Sequence, residues 1–179
     1  MRKLVLASFI GVALIASAAT AAVAHNDNGK GKARLDSYQE TPLTLSTPAS
    51  GSFRIRMASG GLQYKLRYEG FTTPVLFAHI HLGARGLTGG VIAFLCGGGS
   101  KPACPQGSGT VEGTIAVADV IGPANQGIAP GEMTEVIKAL RRGAVYANVH
   151  SQQFPGGEIR GQIGNNGHSG DDNGRHDKH

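Results

Sequence analysis

The clearest structural signal in the chain is SFRIRMASGGLQYKLRYE, at residues 52–69. Apolar and polar residues alternate through both halves of this stretch, and Ser59-Gly60-Gly61 separates the halves. Because strand side chains point alternately to opposite faces, each half is predicted to be a strand with one buried and one solvated face. A glycine-rich turn between two such strands is typical of an antiparallel β-hairpin.

The same alternation recurs on both sides of the hairpin. Apolar residues between Met133 and Leu140 instead follow helical spacing, with Pro130 at the expected helix start and Gly143 at its end. About eight strands with one short helix indicate an all-β fold, a Greek-key β-sandwich or barrel. Turns rich in glycine and proline separate the further predicted strands, which are residues 34–39, 75–82, 90–95, 110–117, 144–150 and 158–163.

The first 24 residues have the features of a secretory signal peptide. Met1-Arg2-Lys3 is a positively charged start, an apolar run follows to about Ala19, and Ala22-Val23-Ala24 is an A-x-A cleavage site. The apolar run is shorter than the roughly 20 residues that a membrane-spanning helix needs. We therefore expect cleavage after Ala24 and a secreted or periplasmic mature chain without a membrane span.

Composition divides the mature chain into one domain and two tails. Residues 25–33 and 165–179 are polar, rich in glycine and without an apolar pattern, so both are predicted to be disordered. Residues 34–164 suit a single β domain, since domains most often have about 100–150 residues. We expect this domain to be monomeric.

The charge balance argues against nucleic acid as a partner. The formal net charge is +5, and loss of Arg2 and Lys3 with the signal peptide leaves 15 basic against 12 acidic residues, or +3. From their spacing, the basic residues are not expected to form a patch. The chain has no Trp and few Phe or Tyr, so it offers little for stacking on bases or sugars. The expected partner is an extracellular protein or polymer that the sequence does not identify.

The only two cysteines are Cys96 and Cys104. In an exported protein, an even pair this close predicts a disulfide, which would close a small loop over residues 97–103. Closing so short a loop stabilises a fold by about 2–3 kcal/mol in the chain-entropy description. A redox or metal-binding role is the lesser alternative, because the spacing is not C-x-x-C.

Two later segments place polar residues on strand faces. Residues 77–83 read FAHIHLG, so His79 and His81 share one face together with Phe77. Residues 146–151 read YANVHS, which puts His150 on the polar face of a second strand. The segment GEIRGQ follows at residues 157–162, and the short connection predicts that these last two strands are antiparallel neighbours. His150 is then expected near Glu158 or Arg160.

Three interpretations of these polar faces remain open. The first is a structural hydrogen-bonded network that fixes strand register, built from Asn148, Glu158, Arg160 and Gln162. The second is a zinc or copper site on neighbouring strands about 4.8 Å apart, with His79, His81 and His150 as ligands. In that site Glu158 would orient a ligand or serve as the fourth one. The third is recognition of an extracellular partner through the same face.

A conventional enzyme is not expected. No serine lies in a G-x-S-x-G motif, and no pair of carboxylates is placed for glycoside hydrolysis. Residues 83–90 read GARGLTGG, but they follow a strand without opening a helix, so they do not form a dinucleotide-binding fingerprint.

Taken together, these motifs resemble the CHRD domain, which was first named from chordin and is common in bacterial exported proteins. The resemblance covers about residues 35–163. Its motifs are QETP at 39–42, TPASG at 47–51, AHIH at 78–81, NVH at 148–150 and GEIRGQ at 157–162. Chordin is a secreted antagonist of bone morphogenetic proteins, and that role is not carried over, because this chain lacks chordin's cysteine-rich modules.

The resemblance implies an exported domain without an assigned reaction. We therefore expect a single-domain CHRD protein that acts as a non-catalytic extracellular or periplasmic binding or structural module, with no cofactor. The alternative is a metal-binding protein or metalloenzyme that uses the three-histidine site for zinc or copper.

Overall fold

The computed structural model describes residues 29–164, and it shows eight antiparallel strands in one sheet. One α-helix, α1 (Met133–Arg141), lies between the sixth and seventh strands. The predicted all-β fold with a single helix is confirmed. The strands are β1 (Lys30–Asp36), β2 (Ser50–Ala58), β3 (Gly61–Glu69), β4 (Val75–Leu82), β5 (Val91–Cys96), β6 (Gly109–Ile115), β7 (Val145–Ser151) and β8 (Ile159–Gln162).

The sheet curls into a nearly closed barrel. Its strand order is β5-β4-β7-β8-β1-β2-β3-β6, and the two end strands, β5 and β6, approach each other without forming a ladder. Tyr64 of β3 reaches across the open seam between β5 and β6 and donates a hydrogen bond to the Leu95 carbonyl of β5 at 2.7 Å. Of the two predicted architectures, the sandwich and the barrel, the structure has the barrel.

The hairpin at residues 50–69 forms as its alternation predicts. β2 and β3 pair from Ser50–Glu69 to Ala58–Gly61, and Phe53 and Leu66 are completely buried between exposed neighbours. Burying a side chain of this size contributes about 1.5–3 kcal/mol. Gly61 has a φ of +140°, and a Cβ there would lie 2.1 Å from the Ile115 carbonyl oxygen, so the turn requires glycine.

The helix buries the apolar face that its spacing predicts. Val136 and Leu140 are buried in the core, and Lys138 and Arg141 lie in the last turn, where cations favour the helix dipole. Pro130 is not the first helical residue, because the helix begins only at Met133. None of the helices among residues 29–164 has the length and apolar character that crossing a membrane requires.

The domain begins earlier than the sequence predicts. Residues 30–33, assigned to the N-terminal tail, form the start of β1, because backbone pairing with β2 does not require an apolar pattern. β1 ends at Asp36 instead of continuing to residue 39, because the Asp36 carboxylate accepts a hydrogen bond from the Gln39 amide and caps a 3-10 turn. The predicted signal peptide (1–24), the rest of the first tail (25–28) and the second tail (165–179) lie outside the described residues.

The expectation that the basic residues form no patch is wrong. Strand pairing aligns exposed Lys and Arg side chains of three neighbouring strands on one outer surface, which we call the basic face. Positions far apart in sequence become adjacent in this way, which a linear search for clusters cannot detect. The basic face consists of Lys30, Lys32, Arg34, Arg54, Arg56, Lys65 and Arg67.

The two cysteines lie together at the end of β5. Their sulfur atoms are 1.99 Å apart, a disulfide distance, and their Cα atoms are 5.1 Å apart. Both residues are buried against the core. The crosslink would therefore fix the loop at residues 97–103 beside the open seam between β5 and β6.

Candidate functional site

The β7 strand is buried on both faces, which distinguishes it from the hairpin strands. Val145, Ala147 and Val149 face the barrel core, as alternation predicts. The opposite face carries Tyr146, Asn148 and His150, and these polar side chains are also buried. The polar surface predicted from the sequence is therefore a closed layer between the barrel wall and overlying loops.

Strand pairing brings the three histidines together on this layer. In the β4–β7 ladder, His79 lies opposite Asn148, His81 opposite Tyr146 and Phe77 opposite His150. The ring centroids of His79 and His150 are 4.9 Å apart, and those of His79 and His81 are 5.3 Å apart. One ring nitrogen from each histidine lies within 4.8 Å of the other two. Among residues 29–164, this group contains no carboxylate, so Glu158 is not placed as a fourth ligand.

Backbone carbonyls fix the orientation of two of the rings. His81 Nδ1 lies 3.0 Å from the Gly89 carbonyl oxygen, and His150 Nδ1 lies 3.0 Å from that of Pro155. A carbonyl only accepts, so both Nδ1 atoms must carry the proton, and each Nε2 keeps its lone pair. The Nε2 of His150 lies 3.3 Å from His79 Nδ1. The Nε2 of His81 is buried and has no hydrogen-bond partner in the described part of the chain.

Burial keeps all three imidazoles neutral. Loss of hydration, followed by the neighbouring His150 and His81, lowers the pKa of His79 to about 3. Burial lowers the pKa of His81 to about 4, against the opposing effect of its Gly89 carbonyl acceptor. Burial likewise lowers the pKa of His150 to about 4. Neutral imidazole is the form that binds metal ions.

Aromatic rings surround the histidines. Phe77 lies 4.9 Å from His79 and 4.8 Å from His150 between ring centroids, on the face that alternation predicts. Phe94 of β5 lies 4.4 Å from His79, and Tyr146 stacks on His81 at 4.7 Å with an interplanar angle of 5°. These rings limit the access of water to the cluster. The contact from Phe94 depends on β4–β5 pairing, which no sequence pattern revealed.

The remaining predicted polar residues form a second group beside the histidines. Arg160 donates to the Leu87 carbonyl at 2.7 Å and to Thr41 Oγ1, and its guanidinium lies 3.5 Å from the centre of the Tyr146 ring. Gln162 Nε2 donates to the Gly83 and Gly143 carbonyls at 2.9 and 2.7 Å. Both side chains thereby attach loops to the barrel wall, which is a structural role.

Asn148 connects this group to a residue that the sequence reasoning missed. Its Nδ2 donates to Glu40 Oε1 at 2.5 Å and to the Ile159 carbonyl at 2.9 Å. Burial raises the pKa of Glu40 to about 7, although the Asn148 hydrogen bond and Arg160 act in the opposite direction. Glu40 lies within the QETP motif, but nothing in its local pattern shows that it would reach a strand 108 positions later.

Two expectations about this layer need adjustment. His150 was expected near Glu158 or Arg160. The Glu158 amide donates to the Val149 carbonyl at 2.8 Å, which places Glu158 beside His150, but the His150 ring contacts His79 and the Pro155 carbonyl. Glu158 is only 2% exposed, and its Oε2 has no hydrogen-bond partner among residues 29–164. The acceptors that orient the histidines are therefore backbone carbonyls, and the carboxylate of Glu158 does not take that role.

Among the comparisons with known proteins, a family model matches nearly the whole barrel. A model of the CHRD domain family matches residues 31–163, from the second residue of β1 to the residue after β8. The matched range contains the three histidines, Glu40 and the second polar group. Neither the search of curated proteins nor the search of solved structures finds a match.

Proposed function

This chain belongs to the CHRD domain family, and on that premise we propose that it is a non-catalytic domain that binds one zinc or copper ion through His79, His81 and His150. The observation that carries the proposal is the buried Nε2 of His81, which has no partner among residues 29–164 although two other neutral imidazoles lie beside it. An ion at the centre of the cluster would give this lone pair a partner.

A purely structural histidine cluster explains the arrangement less well. Buried polar atoms are nearly always hydrogen-bonded, and an unsatisfied one costs about 1–3 kcal/mol. Asn148 and Arg160 follow that rule with several contacts each, whereas Glu158 Oε2 and Gln162 Oε1, which lie outside the histidine cluster, have no partner in the described part of the chain. His81 also departs from that rule, although its ring is held in place by the Gly89 carbonyl. A held ring with an unused lone pair is the arrangement of a metal ligand.

The separation of two of the ring nitrogens also suits coordination. Zinc–nitrogen bonds are about 2.0–2.1 Å long, so two nitrogens of a tetrahedral site lie about 3.3 Å apart. His79 Nδ1 and His150 Nε2 are separated by 3.3 Å. Metal-binding histidines usually donate their second ring proton to a carbonyl or carboxylate, as His81 and His150 do here.

The donor set favours zinc and copper over the hard cations. Imidazole nitrogens suit zinc and copper, whereas magnesium and calcium prefer oxygen ligands. Three nitrogens leave a further position for water or a small ligand. The histidine residues are only 5–7% exposed, and aromatic rings adjoin them, which supports storage, transfer or structural use of the ion over turnover of a large substrate.

Metal content of the purified chain tests this function. The protein is stripped with chelator, incubated with zinc or copper, dialysed and measured by mass spectrometry. We expect about one ion per chain in the unaltered protein and none in His81→Gln. Cobalt substitution gives an independent readout, since a tetrahedral cobalt site has a visible absorption spectrum that the His81→Gln protein should lack.

A matched control separates this site from the histidines near the C-terminus. The His176→Gln variant should retain the ion, because the proposed ligands are His79, His81 and His150. A folded His81→Gln protein that binds the same amount of metal as the unaltered chain contradicts the proposal. So does an unaltered chain that retains no zinc or copper after dialysis.

We further propose that the protein acts as an exported monomer, secreted or periplasmic, after removal of residues 1–24. A disulfide-distance cysteine pair supports this location, because disulfides persist in oxidising compartments. Mass spectrometry of the protein from the culture medium and periplasm should find a chain that starts at His25. Recovery of only the full-length chain from the cytoplasm would contradict the export proposal.

A further inference from the structure

The basic face lies on a different sector of the barrel from the histidines. It spans β1, β2 and β3, whereas the histidines lie on β4 and β7, and β8 separates the two groups in the strand order. Its side chains form a regular grid, because neighbouring strands are about 4.8 Å apart and alternate residues along a strand about 6.8 Å apart. A shallow groove of about 540 Å³ runs between Lys30, Lys32, Arg54, Arg56 and Lys65.

The arrangement of charge on this face is costly for the fold. Strand register places Lys30 directly opposite Arg56, and Arg54 directly opposite both Lys32 and Lys65. Like charges in such cross-strand pairs destabilise a sheet. Within residues 29–164, Glu112 is the one carboxylate that forms an ion pair with this face, at 2.5 Å from Lys65. Folding therefore does not account for the basic face.

We propose that the basic face binds an acidic polysaccharide, a polymer that carries carboxylate or sulfate groups along an extended chain. Charge complementarity supports this partner, since seven exposed cations share the face. The carboxylates on the same side of the sheet, Asp36, Glu69 and Glu112, lie at its margins, and among residues 29–164 only Glu112 forms an ion pair with it. Arginine guanidinium groups match carboxylate and sulfate oxygens with two parallel hydrogen bonds. Arg34, Arg54 and Arg67 are exposed and have no side-chain partner in the described structure, so they remain available for such contacts.

The surface suits a polysaccharide better than a nucleic acid. Single-stranded nucleic acids are bound by aromatic side chains that stack on bases, and the basic face has none on its outward positions. Duplex DNA is usually recognised by an element that enters a groove, whereas this face consists of strands, without a protruding helix. A flexible anionic chain can follow the shallow groove without either feature.

Binding to immobilised polygalacturonate tests the proposal, with uncharged dextran as the reference surface. The mature chain should bind polygalacturonate at 50 mM salt and lose affinity steeply as salt rises, because the contacts are ion pairs. The double variant Lys32→Gln with Arg54→Gln should bind about tenfold more weakly, since it removes two exposed ion pairs, each of which contributes modestly.

A variant with the same net charge serves as the control. Lys138→Gln with Arg142→Gln removes two exposed cations from α1 and the residue after it, and it should bind within twofold of the unaltered chain. Equal losses in both double variants would show a net-charge effect and overturn the proposal. It would also be overturned if polygalacturonate does not bind, or if single-stranded or duplex DNA of equal charge concentration binds more tightly.

Discussion

The metal-free domain is expected to lose about 3 kcal/mol of stability when the pH falls from 6.5 to 5.0. The reason is the histidine cluster, in which burial lowers the pKa of His79 to about 3 and those of His81 and His150 to about 4. In the unfolded chain these imidazoles titrate near pH 6.5. Between these values the unfolded state binds protons that the folded state does not, so acid favours unfolding.

The magnitude follows from proton linkage. When the pH falls from 6.5 to 5.0, each imidazole that stays neutral in the folded state lowers the free energy of unfolding by about 1.6 kcal/mol. The three together lower it by about 5 kcal/mol. Glu40 acts in the opposite direction, because burial raises its pKa in the folded state to about 7, well above the ordinary value of a glutamate. Its contribution to stability is present below about pH 4.5 and is lost as the pH rises through about 7. Acidification from pH 6.5 to 5.0 therefore raises the free energy of unfolding by about 1.7 kcal/mol through Glu40. The net loss corresponds to a decrease of about 10 °C in Tm for a domain of this size.

Urea unfolding of chelator-treated protein at pH 6.5 and 5.0 measures this difference. In His150→Gln, one titrating imidazole is removed, and the difference between the two pH values should shrink by about 1.6 kcal/mol. In Glu40→Gln, the opposing group is removed, and the difference should grow to about 5 kcal/mol. The reasoning is refuted if stability is equal at the two pH values, or if NMR shows the three imidazoles titrating near pH 6.5 in the folded protein.

Three further predictions concern the groups around the cluster. Asn148→Ala should destabilise the domain by about 1–3 kcal/mol in urea unfolding, because the buried Glu40 carboxyl loses its donor; an unchanged midpoint would contradict that role. Replacing Cys96 and Cys104 with alanine should lower stability by about 2–3 kcal/mol in thermal unfolding while metal stoichiometry stays the same, and a loss of metal would show that the loop supports the site. Arg160→Lys should destabilise by about 1–3 kcal/mol in the same assay, since an ammonium cannot reproduce the planar contacts with the Leu87 carbonyl and the Tyr146 ring; full stability would show that charge alone suffices.

Local pattern predicted most of the secondary structure, apart from the ends of some elements such as β1. Alternation at residues 52–69 predicted the hairpin, and helical spacing between Met133 and Leu140 predicted α1, because strand and helix periods are properties of neighbouring residues. The same period placed His79 and His81 on one face with Phe77. It could not predict that this face would be buried, since the loops that cover it come from other parts of the chain.

Contacts between distant segments were outside the reach of the sequence. The three histidines converge only because β4 pairs with β7, and Glu40 reaches Asn148 only because β1 pairs with β8. The basic face arises in the same way, from the register of β1, β2 and β3. The chain's local periodicity thus specified which residues share a strand face, whereas strand order and register, which depend on the packing of the whole barrel, specified which faces meet.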